Sequence, residues 1–158
     1  MNVGSWLVWG LASTVVLTTI MAGAQSAGLT RMSLPYLLGS MLVADRDRAK
    51  VVGIGVHLLN GWIFSLLYVG IFHGAGIFQP WFGGAVGTLH GLFVAAVVLP
   101  ALPGLHPRMA SPTAGPTALR PLEPPGNFGL HYGIRTPLVV IGAHLAYGLL
   151  LGGLYTPR

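Results

Sequence analysis

This sequence predicts an all-α protein, a transmembrane four-helix bundle forming one integral membrane domain over residues 1–158. Three observations lead there. The composition is 53% hydrophobic and only 7% charged, where an average soluble domain carries about a quarter charged residues. Four apolar stretches, about 5–24, 51–72, 82–102 and 137–155, contain no Asp, Glu, Lys or Arg. Each can cross a hydrocarbon core of about 30 Å at about 1.5 Å per helical residue. The basic residues gather in two of the connections between these stretches. Helices are expected rather than strands, because backbone polar groups in lipid must be satisfied within the segment. The period-2 alternation of a barrel strand is missing.

The first stretch, Ser5 to Ala24, has no basic leader before it and places Trp6 and Trp9 there instead. The expectation is a retained span rather than a signal peptide. The connection that follows contains SLPYLLGSMLVAD, with Ser33 as N-cap and Pro35 in a first helical turn. About ten residues of apolar helix are too few to cross, so a short interfacial or re-entrant helix is expected. The second span, Val51 to Phe72, is joined to the third, Phe82 to Leu102, by the uncharged link GAGIFQPWFGG. The connection over about 103–136 carries Pro103, Pro107, Pro112, Pro116, Pro121, Pro124 and Pro125. No regular helix persists through that, and an extended or irregular course is expected. Its end, NFGLHYGIRTP, is richer in aromatics and suited to docking on the bundle or on a partner protein. The last span runs from Pro137 to Tyr155.

Charge gives an orientation. Arg31, Arg46, Arg48 and Lys50 precede the second span, and Arg108, Arg120 and Arg135 lie between the third and fourth. The positive-inside rule places both long loops in the cytoplasm and both termini outside. Trp6, Trp9, Tyr68, Phe72, Phe78, Trp81, Phe82 and Tyr155 then fall near the outer interface, a zone that amphipathic rings favour. The net charge of +5 arises from these loops. It forms no soluble basic patch, and no nucleic-acid motif accompanies it.

One frame occurs twice: HLLNGWIFSLLY at 57–68 and HLAYGLLLGGLY at 144–155. Residues four apart share a helix face, so His57, Gly61 and Ser65 form a stripe, as do His144, Gly148 and Gly152. Tyr68 and Tyr155 each lie eleven residues past their His, three turns plus about 20° and so on the same face. The third span adds Gly83, Gly87, Gly91 and Ala95; the first adds Gly10, Thr14, Thr18 and Ala22. Small residues at this spacing let membrane helices approach closely. Two repeated helix pairs in parallel orientation, an internal repeat, would account for the pattern. Convergence on one packing motif would account for it equally.

These residues carry a resemblance. A Thr-rich first span, Leu34, Pro35, Leu38 and Gly39, and the two frames at His57, Gly61 and Tyr68 and at His144, Gly148 and Tyr155 resemble small prokaryotic four-span integral membrane proteins of unknown function. It covers nearly the whole chain, with the Pro-rich loop as an extension. It implies a four-helix protein of a prokaryotic inner (plasma) membrane and no activity.

Ionisable residues inside spans are functional hypotheses. His57 and His144 sit at similar depth on helices running the same way. They can bind a haem b axially, with Gly61 and Gly148 making room, or hydrogen-bond across the bundle and fix its register. His90 lies on an opposite-running span and is expected about 9 Å further out, too far to join them. His73, His106 and His131 fall at boundaries or in loops, where solvation is expected. Thr14, Thr18 and Thr19 either line a polar path or bond their own backbone. Asn60 is suited to an interhelical bond or to orienting a ligand headgroup. No metal-ligand cluster is recognisable, and the absence of Cys excludes thiolate sites and thioether-linked haem.

The carboxylates Asp45, Asp47 and Glu123 all lie in loops. No enzyme is expected on these grounds. The first expectation is a structural or accessory component, touching lipid and assembling with itself or a larger membrane complex through its Gly-rich faces. The alternatives are a haem- or quinone-binding electron-transfer subunit using His57 and His144, and a passive channel or carrier for a small solute.

Overall fold

Asn2 opens the first helix: its side chain accepts the Ser5 N–H at 3.0 Å, and α1 (Val3–Ser26) follows. It stops where Gly28 turns into the left-handed region at φ 71°, a conformation open to glycine at little cost. A short helix, α2 (Leu34–Gly39), begins after Ser33 with Pro35 in its first turn. Asp45 caps α3 (Arg46–Ala75) by accepting the Arg48 N–H at 2.9 Å. The charged run DRDRAK thus forms the first turn of the second span rather than a loop, and Lys50 pairs with Asp47 at 3.0 Å. Gly76, at φ 69°, ends α3. Pro80 then starts α4 (Pro80–Phe93), which continues through a π turn (Val94–Val98) into α5 (Leu99–Leu105) as one 26-residue span. The last span is α6 (Thr136–Leu154).

The computed structural model describes residues 1–111 and 113–158. Pro112, one of the prolines of the second long connection, lies outside the described residues. Among the described residues there are six α-helices and no strand, and four spans are long and apolar enough to cross a membrane. The arrangement is a four-helix bundle. α2, the short helix expected in the first long connection, has six residues instead of about ten. The span expected as one helix over about 82–102 carries a π turn at Val94–Val98. Pro100 has no N–H to give to the carbonyl four residues back, and just before it the ladder slips, Leu99 N–H bonding Val94 O.

The helices pack in antiparallel pairs, α1 with α3 and α4 with α6, and α6 also lies along α1. Glycines permit the close approaches. A Cβ on Gly83 would run into the Gly148 carbonyl and the Gly152 backbone, and one on Gly87 into the His144 carbonyl. In the first pair Gly61 meets Thr14, and Gly10 meets Ser65. The equivalent stripe positions of the two frames therefore meet equivalent positions of their partner helices. These faces are filled inside the chain.

Both termini and the α3–α4 link share one end of the bundle. There Thr156 N–H bonds Ser5 Oγ at 2.9 Å, and the Tyr155 hydroxyl meets His73 Nε2 at 2.8 Å. The aromatics expected at an interface do gather here, but Tyr68, Phe72 and Tyr155 are buried core residues rather than an outer belt. They face inward because they share the small-residue face that packs.

The other end holds α2 and the Pro-rich connection. Gly39 of α2 and Gly53 of α3 bring the two backbones together, since a Cβ on either would strike the other helix. The connection is irregular, with isolated bridges such as Met109 to Leu122, and closes with a short 3-10 helix (Asn127–Tyr132). The aromatic segment docks on the bundle. Tyr132 is buried and donates its O–H to Glu123 O at 2.6 Å, while Arg31 N–H bonds Tyr132 O at 2.7 Å.

Candidate functional site

α3 and the α4–α5 span touch little, and a cavity of about 160 Å³ lies between them toward the α2 end of the bundle. Its polar end is formed by His57 and Asn60 of α3, His90 of α4, and His144 and Tyr147 of α6. Leu17 and Met21 of α1, Leu37 of α2 and Leu99 of α5 line the apolar remainder. Asn60, Phe64 and Val98 both line the cavity and are exposed on the outside of the bundle, so its mouth is lateral. α2 closes its inner end, and the π turn borders it through Val94 and Val98.

The histidines are held by specific bonds. His144 Nδ1 donates to Val140 O at 2.8 Å on its own helix. His57 Nδ1 lies 2.9 Å from Thr18 Oγ1 across the α1–α3 contact. His90 Nδ1 lies 3.0 Å from the Tyr68 hydroxyl, and its ring packs edge-on to that of His144 at 4.7 Å between centroids. His90 is therefore level with His144, which corrects the expected separation of about 9 Å. The ends of the two spans on the α2 side are not level. Gly83 and Gly91 set the register of α4 on α6, and Leu99 comes level with Thr136, where α6 begins. α5 runs on for six residues past that level, about 9 Å at the helical rise.

Other candidates fall elsewhere. Tyr155 lies at the terminal end with His73, and Tyr68 supports His90. Gly83, Gly87, Gly91, Gly148 and Gly152 form the α4–α6 contact, and Ser65 accepts the Trp6 indole N–H at 2.7 Å. Thr14, Thr18 and Thr19 donate to carbonyls of their own helix. Among the described residues no hydrogen bond joins the Asn60 side chain to another helix, and Asn60 borders the cavity mouth. Among the described residues no group of three or more His, Cys, Asp or Glu is placed to hold a metal ion.

Tyr147 was missed by sequence reasoning. It sits at the frame position occupied by Asn60 in the second span, and its O–H bonds Gly61 O at 2.7 Å. This frame position lines the cavity in both halves, as the histidine position does. His106 is a second correction. It is 4% exposed rather than solvated. Its Nε2 lies 2.9 Å from Leu37 O, its Nδ1 accepts the Arg108 N–H at 3.1 Å, and the Arg108 guanidinium bonds Ser40 O. These bonds tie α2, the inner wall of the cavity, to the end of α5. Burial, with the Arg108 charge, lowers the His106 pKa despite the bond to Leu37 O. Burial first, and Glu123 second, push the Tyr132 hydroxyl up to about 12.

Fold and site together define a class, a four-helix bundle of membrane-spanning length with a histidine-lined lateral cavity. No known protein family, no curated protein and no solved structure matches the chain.

Proposed function

We propose that this is a multi-pass membrane protein that binds a single-ring, lipid-soluble molecule in the cavity between α3 and α4–α5. The observation that carries the reading is the cavity itself: three histidines from three helices at one end, apolar walls, and a mouth on the lateral face. Its volume of about 160 Å³ is close to that of an engineered apolar cavity of about 150 Å³ that takes up benzene. A ring with a short tail fits, its tail leaving past Phe64 and Val98. This favours the quinone-type alternative among the readings of the sequence.

Haem b between His57 and His144 is the second reading. One observation favours it: both Nδ1 atoms are anchored, the arrangement that orients histidine ligands in metal sites. The cavity volume favours a single ring over a tetrapyrrole. The accessory reading loses its original motive, because the Gly-rich faces are used within the chain. A passive channel has less support, since Tyr68, Phe72, Tyr147 and Leu151 fill the bundle beyond the cavity.

The test is titration of the protein in mild detergent with propylbenzene and, separately, with haemin. Saturable propylbenzene binding that Val98→Trp abolishes at the mouth is the expected result. A near-stoichiometric Soret band lost in His57→Ala or His144→Ala would select haem instead. Binding of neither would overturn both readings.

A further inference from the structure

We infer that the cavity selects rings that donate hydrogen bonds, phenols and hydroquinones, over rings of similar size that only accept them or carry no polar group. The inference rests on the ring-binding reading and adds its chemical selectivity.

It follows from counting protons. The Val140 carbonyl only accepts, so its 2.8 Å bond with His144 places the imidazole proton on Nδ1. Thr18 has one hydroxyl proton and gives it to Thr14 O at 2.7 Å. Its contact with His57 Nδ1 at 2.9 Å therefore uses an oxygen lone pair, and His57 Nδ1 is the donor. A neutral imidazole protonated on Nδ1 has a bare, accepting Nε2. His57 and His144 thus both offer acceptors. Among the described residues, the buried side-chain polar atoms without a partner are Ser13 Oγ and Trp62 Nε1. The two Nε2 atoms are not among these fully buried ones, so each keeps some accessible surface, and both residues line the cavity. His90 is indifferent, because the Tyr68 hydroxyl can donate or accept. A ring O–H meets a bare Nε2 with a hydrogen bond, whereas a ring carbonyl brings a second lone pair against it.

The experiment compares 4-propylphenol, 4-propylanisole and propylbenzene on the full chain in mild detergent at pH 8, above the ordinary imidazole pKa of about 6.5. The phenol is expected to bind about tenfold more tightly than either of the others. In the double variant His57→Phe, His144→Phe the preference for the phenol should fall to about twofold or less, and a tenfold preference kept there would overturn the inference. Equal affinities in the unaltered protein would overturn the selectivity and leave ring binding intact. Failure of all three to bind would overturn the ring-binding reading and this inference with it. Nitrogen-15 NMR of the histidine side chains gives a check that needs no variant. Protonated Nδ1 and bare Nε2 signals are expected for His57 and His144, and an Nε2–H signal on either would overturn the inference.

Discussion

At Gly148 one methyl group decides whether α4 and α6 can meet. A Cβ there would overlap the Gly83 carbonyl, whereas a Cβ on Gly142, earlier on the same helix, meets nothing within 4 Å. The same substitution should therefore have opposite effects. Gly148→Ala should cost about 1–3 kcal/mol through overpacking. Gly142→Ala should be neutral or stabilise by up to about 1 kcal/mol, because glycine weakens a helix interior. Reversible unfolding in detergent measures both, and equal shifts would contradict the register described for α4 and α6. The stripe of small residues was legible in the sequence because its spacing matches the helix period. Which glycine meets which carbonyl was not legible, since spacing says nothing about the partner helix. Tyr147 shows the same limit. Its place beside Gly148 was visible, but its bond to Gly61 O joins helices that are 86 positions apart in the chain.

Among the elements, α2 has the least support of its own. Six residues are too few for a stable isolated helix, and it is held by the Gly39–Gly53 contact and by His106. The docked imidazole has a lowered pKa, so a detached one binds protons more readily. Docking of α2 is then complete above the ordinary value of about 6.5 and weakens as pH falls below it toward the lowered folded-state value. Amide hydrogen exchange over Leu34–Gly39 should speed up below that pH. His106→Gln, which keeps an N–H for Leu37 O and does not titrate in this range, should flatten the dependence. Exchange that is independent of pH in the unaltered chain, after correction for intrinsic rates, would remove the latch. The helix itself was readable from Ser33 and Pro35. Its early end was not, because Gly39 and Ser40 stop it where it meets the backbone of α3.

On the scale of the whole molecule, the bundle has two chemically different ends. The termini and Gly76 lie at one, and the basic residues Arg31 and Arg108 at the other with α2. Charge asymmetry predicts that the basic end faces the cytoplasm. The chain has no cysteine, so single cysteines report cleanly. Gly74→Cys should react with a membrane-impermeant thiol reagent in intact cells, and Leu119→Cys, at a site 83% exposed, only after permeabilisation. The reverse pattern would invert the orientation.

Sequence alone determined the all-α class, the four spans and their limits to within a few residues, because length, apolarity and the absence of charge act locally along each helix. It also marked His57 and His144 as the unusual groups of their spans. Only the tertiary structure decided that His90 stands beside His144, that His106 is buried under α2, and that the cavity opens to the side. Those features depend on how far one helix overhangs the next. The overhang is set by glycine contacts between helices distant in sequence and by a π turn ahead of Pro100, and neither is written in the period of any single span.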